Sequence, residues 1–100
     1  MAASKLSDDE LQQHLTHLPN WKREGDTITR KFQFADFSRA LEFVNVVGEA
    51  AEDVKHHPDI DIRYNKVTLT LTTHDAGGLT LADMEMAASA DGTADTLGMS

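Results

Sequence analysis

Asp59-Ile60-Asp61-Ile62-Arg63-Tyr64-Asn65-Lys66-Val67-Thr68-Leu69-Thr70-Leu71-Thr72-Thr73-His74 alternates along nearly its whole length. Ile60, Ile62 and Tyr64 share one parity, and after Asn65 the apolar set is Val67, Leu69 and Leu71. Thr68, Thr70, Thr72 and His74 point the other way. A period of two reads as strand, and Asn65 is a turn residue, so the stretch predicts a hairpin. One apolar and one polar face describe an antiparallel sheet covered on one side.

Upstream, Pro58 breaks the preceding pattern. Phe37, Ala40, Leu41, Val44, Val47, Ala51 and Val54 follow a 3-4 spacing that predicts a helix over 37–54 with one buried face, capped by Asp36. Phe43 and Val46 lie off that stripe. They belong either to a wide core face or to a second stripe used for helix-to-helix assembly. Gly48 is a mild helix defect unless another backbone packs close to it. Trp21–Glu24 and Thr27–Phe34 read as two further strands around a turn at Glu24-Gly25-Asp26. Ile28, Arg30, Phe32 and Phe34 share a face, with the Arg30 stem lying along it and its head reaching water. Ser7 and Glu10 have capping-box spacing, Leu11, Leu15 and Leu18 follow helically, and Pro19-Asn20 ends that helix.

Downstream, Asp75-Ala76-Gly77-Gly78 is a loop, and Thr80 with Asp83 starts a last helix toward Ala90. The order α-β-β-α-β-β-α predicts an α+β fold, a four-stranded antiparallel sheet with three helices on one face. Residues 1–90 form the expected single domain, and the small, polar stretch 91–100 is expected to be a mobile tail.

Composition narrows the function. One hundred residues make one domain with a marginal core, which self-association would help. With 17 acidic against 9 basic residues the net charge is -8, which argues against direct binding to nucleic acid or anionic membranes. No apolar run approaches the ~18 residues of a membrane span. The start, Met1 to Lys5, does not read as a secretory signal. The absence of cysteine removes thiolate nucleophiles, disulfides and Cys-based zinc sites, and suits a reducing, cytoplasmic setting.

Among the five histidines, His14 and His17 read as solvated surface. His56-His57-Pro58 lies at a helix-to-strand junction, where Pro58 restricts His57 to extended backbone. Hairpin pairing about Asn65 brings Pro58 and His74 to the same end of the sheet. Imidazole exchanges protons near neutral pH, so the trio is a candidate acid–base centre. Unrelated surface histidines and a three-histidine zinc site are the competing readings.

At these residues the chain resembles the pterin-4a-carbinolamine dehydratase family. The shared pattern is Glu52, then His56-His57-Pro58, Tyr64, His74 and Asp83, with further likeness at Trp21, Phe34-Ala35-Asp36-Phe37, Tyr64 to Val67, Thr73-His74-Asp75 and Gly78-Leu79-Thr80. The likeness runs from about Leu11 to Ala88. It implies removal of water from 4a-hydroxytetrahydropterin to give quinonoid dihydropterin, which recycles the cofactor of aromatic amino-acid hydroxylases. No metal or redox cofactor is implied. His56 and His57 would be the acid–base pair and His74 a third participant. Glu52, Pro58, Trp21, Thr73 and Asp83 would bind the pterin or orient the histidines. A homodimer or homotetramer is implied. Some members also act as dimerisation partners of a homeodomain transcription factor, through the central helix. Asp59-Ile60 after Pro58, and the stretch from Met84 to Ser100, depart from the family's pattern.

Overall fold

In the computed structural model, which describes residues 4–98, the hairpin stretch forms β3 (Asp59–Arg63) and β4 (Lys66–Leu71). Asp59 faces Thr70 and Arg63 faces Lys66, leaving Tyr64-Asn65 as a two-residue turn. The positive φ of that turn falls on Tyr64 (53°) rather than on Asn65. Asn65 is otherwise engaged: its Nδ2 donates to the Phe34 carbonyl, and its own carbonyl accepts from Phe34 N–H.

β2 (Thr27–Gln33) pairs antiparallel with β4 on one side and with β1 (Lys22–Glu24) on the other, giving the sheet order β1-β2-β4-β3. Ile28 and Phe32 of β2 and Val67, Leu69 and Leu71 of β4 are fully buried. They sit on one face, as the alternation predicts. The helices α1 (Asp8–Leu15), α2 (Phe37–Val54) and α3 (Leu81–Thr96) cover that face, so the α+β order holds as read. The Ser7–Glu10 capping box is formed, and the Ser7 backbone and hydroxyl hydrogen bonds hold the Glu10 carboxyl below its ordinary pKa.

Three expectations change. First, α2 buries Ala40, Phe43, Val47 and Ala51. Phe43 is fully buried, its ring centroid 4.7 Å from Phe32 and 5.0 Å from Phe34. It is therefore core, not an assembly surface, while Phe37, Leu41, Val46 and Val54 are exposed. The helix sits over β2 and β4, and the Phe37–Leu41–Val44 flank looks outward past them toward β3. Second, the Arg30 head does not reach water. It lies over the Phe32 ring at 4.3 Å and pairs with Asp91 at 2.5 Å. Third, α3 continues six residues past Ala90 to Thr96. Asp91 Oδ1 accepts from both Trp21 Nε1 and Arg30 Nη1, and Ala87, Ala90 and Ala94 are buried behind it. The stretch 91–96, expected in a mobile tail, is thus held by the core. The last two residues of that expected tail, and the first three of the chain, on which the reading of the N-terminus partly falls, lie outside the described residues.

Candidate active site

Helix α2 ends on Lys55, whose backbone is left-handed (φ 55, ψ 43). Its N–H reaches back to the Ala51 and Glu52 carbonyls, and the His56 N–H also reaches Ala51 at 3.1 Å. Such a cap satisfies the last helical carbonyls and reverses the chain. The reversal sends the two adjacent histidine rings to different carboxylates.

His56 turns inward. Its Nε2 lies 2.5 Å from Oδ1 of Asp83, and Asp83 is fully buried. Oδ2 of Asp83 accepts from Thr80 N–H at 2.9 Å and from the Thr73 hydroxyl at 2.8 Å. Thr73 Oγ1 is also 2.8 Å from Thr80 Oγ1. Because Thr73 gives its single proton to Asp83, Thr80 is the donor between the two hydroxyls. Asp83 is the third helical residue after the Thr80 cap, so a local capping box also holds a distant imidazole.

His57 turns outward. Its Nε2 lies 2.5 Å from Oε2 of Glu52, five residues earlier on α2, and both side chains are more than half exposed. With each carboxylate ionised, each Nε2 carries a proton and each Nδ1 is left with a lone pair when the ring is neutral. Each ring is thereby held by a group that touches only its Nε2.

His74 opens a 3-10 turn, His74–Ala76, closed by the left-handed Gly77. Thr73 and Gly78 bridge the base of this loop with two backbone hydrogen bonds. Extending the β3–β4 register sets His56 level with Thr73, and both bond the same Asp83. The structure therefore gathers Glu52, His56, His57, Pro58, Thr73, His74 and Asp83 at one end of the sheet. The His74 ring is exposed and has no hydrogen-bond partner among the described residues.

Trp21 is not part of this group. Its ring packs edge-on to Phe32 at 5.9 Å and its indole N–H goes to Asp91. At 6% exposure it is a core residue that anchors α3. Asp83 and Thr73 spend their side-chain polar groups on each other, Thr80 and His56, which makes them positioning groups behind the histidines. The sequence did not single out Lys55, although a lysine between a helix end and two histidines offered no turn signature to find. His14 and His17 line a shallow hollow beside Leu81 and Glu85 that does not include the trio. Among the described residues no group of three His, Asp or Glu is arranged to hold a metal ion.

Two cavities flank the pair. A hollow of about 290 Å³ beside His56 is lined by Ala50, Val54, Ala82, Glu85 and Met86. A more open groove of about 520 Å³ runs along α2 beside Glu52, with Val44, Gly48, Glu49 and Ile60 on its walls.

Residues 4–93 match the family model described as pterin 4 alpha carbinolamine dehydratase. A relative from Picosynechococcus sp., assigned by name to the same activity, is 49% identical over 89 residues, covering 89% of this chain and 97% of its own. Another from Roseiflexus sp. is 51% identical over 89 residues, covering 89% and 96%. The crystal structure of a transcriptional coactivator/pterin dehydratase from Brucella melitensis superposes with a TM-score of 0.88 at 35% identity, over 91% of this chain and 99% of the other. The chain belongs to the pterin-4-alpha-carbinolamine dehydratase family.

Proposed function

We propose that the protein dehydrates 4a-hydroxytetrahydropterin to quinonoid dihydropterin and water, as a recycling step for the pterin cofactor of aromatic amino-acid hydroxylases. The observation that carries this reading is the adjacent pair of imidazoles, each fixed through Nε2 by its own carboxylate. The reaction breaks the C4a–O bond and an adjacent ring N–H bond and forms a C=N bond. One group must protonate the departing hydroxyl, and another must take the ring proton. His56 and His57, with Nδ1 free, can divide these tasks, and His74, brought to the same end of the sheet by the hairpin, can be a third proton donor or a ring support. The substrate would lie between the 56–58 segment and His74, with Pro58 and Glu52 at its edge. Dehydration is redox-neutral, so the chemistry asks for no electron carrier. We assign the reaction to the cytoplasm, which suits a cysteine-free chain. No described helix is long and apolar enough to cross a membrane.

Stopped-flow absorbance of the 4a-hydroxy intermediate tests the reading. The expected result is faster decay than in buffer, with a metal chelator present throughout. A decay rate equal to that of buffer contradicts it.

Self-association belongs to the same reading. Phe37, Leu41, Ile60, Ile62 and Tyr64 are all more than a third exposed. They lie along one flank of α2 and the adjoining edge strand, where a monomer gains nothing from apolar residues.

The second reading is a partner-binding module using the outer face of α2. It is favoured by exposed Val46 and by the word coactivator in the name of the Brucella relative. It no longer has Phe43 to offer. Partner capture that survives a His56→Ala/His57→Ala double variant would support it, and loss of capture in that variant would count against it.

A further inference from the structure

His56 and His57 are each fixed by a carboxylate, but the His74 ring has no hydrogen-bond partner among the described residues. Its place is therefore set by its backbone. That backbone is a short loop, a 3-10 turn closed by Gly77 and bridged at its base by Thr73 and Gly78. Thr73 N–H donates to the Gly78 carbonyl at 3.1 Å, and Gly78 N–H donates to the Thr73 carbonyl at 3.3 Å. Both are longer than the usual ~2.9–3.0 Å. A bridge of this kind opens locally wherever water reaches it.

Gly77 is exposed, yet Gly78 beside it is buried. What lies on Gly78 is the stem of Lys5. A Cβ built on Gly78 would stand 2.8 Å from Lys5 Cε, 3.2 Å from Cδ and 3.4 Å from Cγ, and these are its three nearest neighbours. Gly78 does not have the positive φ that would by itself call for glycine. Its bare backbone is instead the seat of the lysine methylenes. The approach is fixed next door, where Leu6 N–H donates to the Leu79 carbonyl at 2.9 Å. The Lys5 head stays in water, 4.0 Å from the Asp26 carboxylate, with both side chains more than half exposed. Such a pair adds little, so the holding falls to the stem. The Thr72 hydroxyl donates to the Asp26 carbonyl at 2.6 Å, which ties the same turn to the start of the His74 loop.

We propose that Lys5 is a positioning residue for His74: its stem, laid across Gly78, keeps the Thr73–Gly78 bridge dry and the His74 loop shut. The catalytic half rests on the dehydratase reading, and the loop half rests on geometry alone. Lys5 touches no reacting atom. It acts by narrowing the range of places the His74 ring can occupy beside the 56–58 segment.

The loop half is tested without any assay of activity, by amide hydrogen exchange. Lys5→Ala removes the stem at an exposed position, so the melting temperature should stay within ~4 °C of wild type. Exchange at Thr73 and Gly78 should become at least ~5-fold faster, while Leu69 in the middle of β4 keeps its wild-type rate. Lys5→Met keeps an unbranched stem without the charge and should restore slow exchange to within ~2-fold. Wild-type exchange in Lys5→Ala, or a Lys5→Met chain as fast as Lys5→Ala, overturns the proposal.

The catalytic half is tested by a double-mutant cycle on turnover of the 4a-hydroxy intermediate. Lys5→Ala should lower kcat by ~5-fold, because a misplaced group loses part of its effect. Lys5→Met should recover it. If Lys5 works through His74, adding Lys5→Ala to a His74→Ala chain should change kcat by less than ~1.5-fold. The same loss in both backgrounds, or no loss in Lys5→Ala, overturns the positioning role. If exchange responds as expected but the wild-type chain does not speed the intermediate's decay, the dehydratase reading fails and Lys5 stands as a loop clasp only.

Discussion

His56 and His57 are neighbours in sequence, and each is tied at Nε2 to a carboxylate at 2.5 Å, yet the two pairs live in different solvents. Asp83 is fully buried and held by Thr73 and Thr80, whereas Glu52 is 76% exposed on its helix. The difference separates rigidity from adjustability. A buried carboxylate with three donors has one geometry, and removing it strands the donors. An exposed one competes with water and is screened by salt. The inner histidine is therefore a fixed element, and the outer one is free to adjust.

Three substitutions break this contrast in order of expected effect. Asp83→Ala removes the acceptor of His56, the Thr73 hydroxyl and the Thr80 N–H together. It should cost about 3–5 kcal/mol in urea unfolding and lower turnover by ~10²-fold or more. A domain of this size has only about 5–15 kcal/mol in total. A stability unchanged in Asp83→Ala would mean that the inner pair is not the rigid element described. Lys55→Gly relieves the left-handed backbone between the pairs and should stabilise by about 1 kcal/mol, raising the melting temperature by a few degrees. A fall in the melting temperature would show that the lysine side chain itself matters there. Glu52→Gln should change stability by less than ~1 kcal/mol and lower turnover only a few-fold. The wild-type advantage over it should shrink as salt rises toward ~1 M. A loss as large as that of Asp83→Ala would erase the distinction between the pairs.

Much of this was readable in the chain, because the signals are local. Alternation along Asp59 to Leu71 sets the hairpin, Ser7 and Glu10 set the first cap, and Thr80 with Asp83 sets the last. What escaped depends on contacts far apart. Asp83 reads as a cap residue, and nothing within a few positions reveals that it is also the acceptor for His56, 27 residues earlier. The end of α3 looks like a polar tail because its buried side is alanine and its anchor, Asp91, finds Trp21 and Arg30 across 70 and 61 residues. On α2 two apolar stripes run side by side. The sequence cannot say which one lies over β2 and β4, so the spacing places Phe37 inside and leaves Phe43 open between a wide core face and an assembly stripe. Trp21 was drawn toward the site by resemblance, but a buried indole with an N–H needs an acceptor, and Asp91 is where it found one.

The proposed division of the proton transfers between the two carboxylate-held histidines is decided by the stopped-flow decay of 4a-hydroxytetrahydropterin with the wild-type chain and with a His56→Ala/His57→Ala double variant. Acceleration by the wild-type chain and a return to the buffer rate in the double variant are expected. A double variant as fast as wild type would remove both histidines from the chemistry.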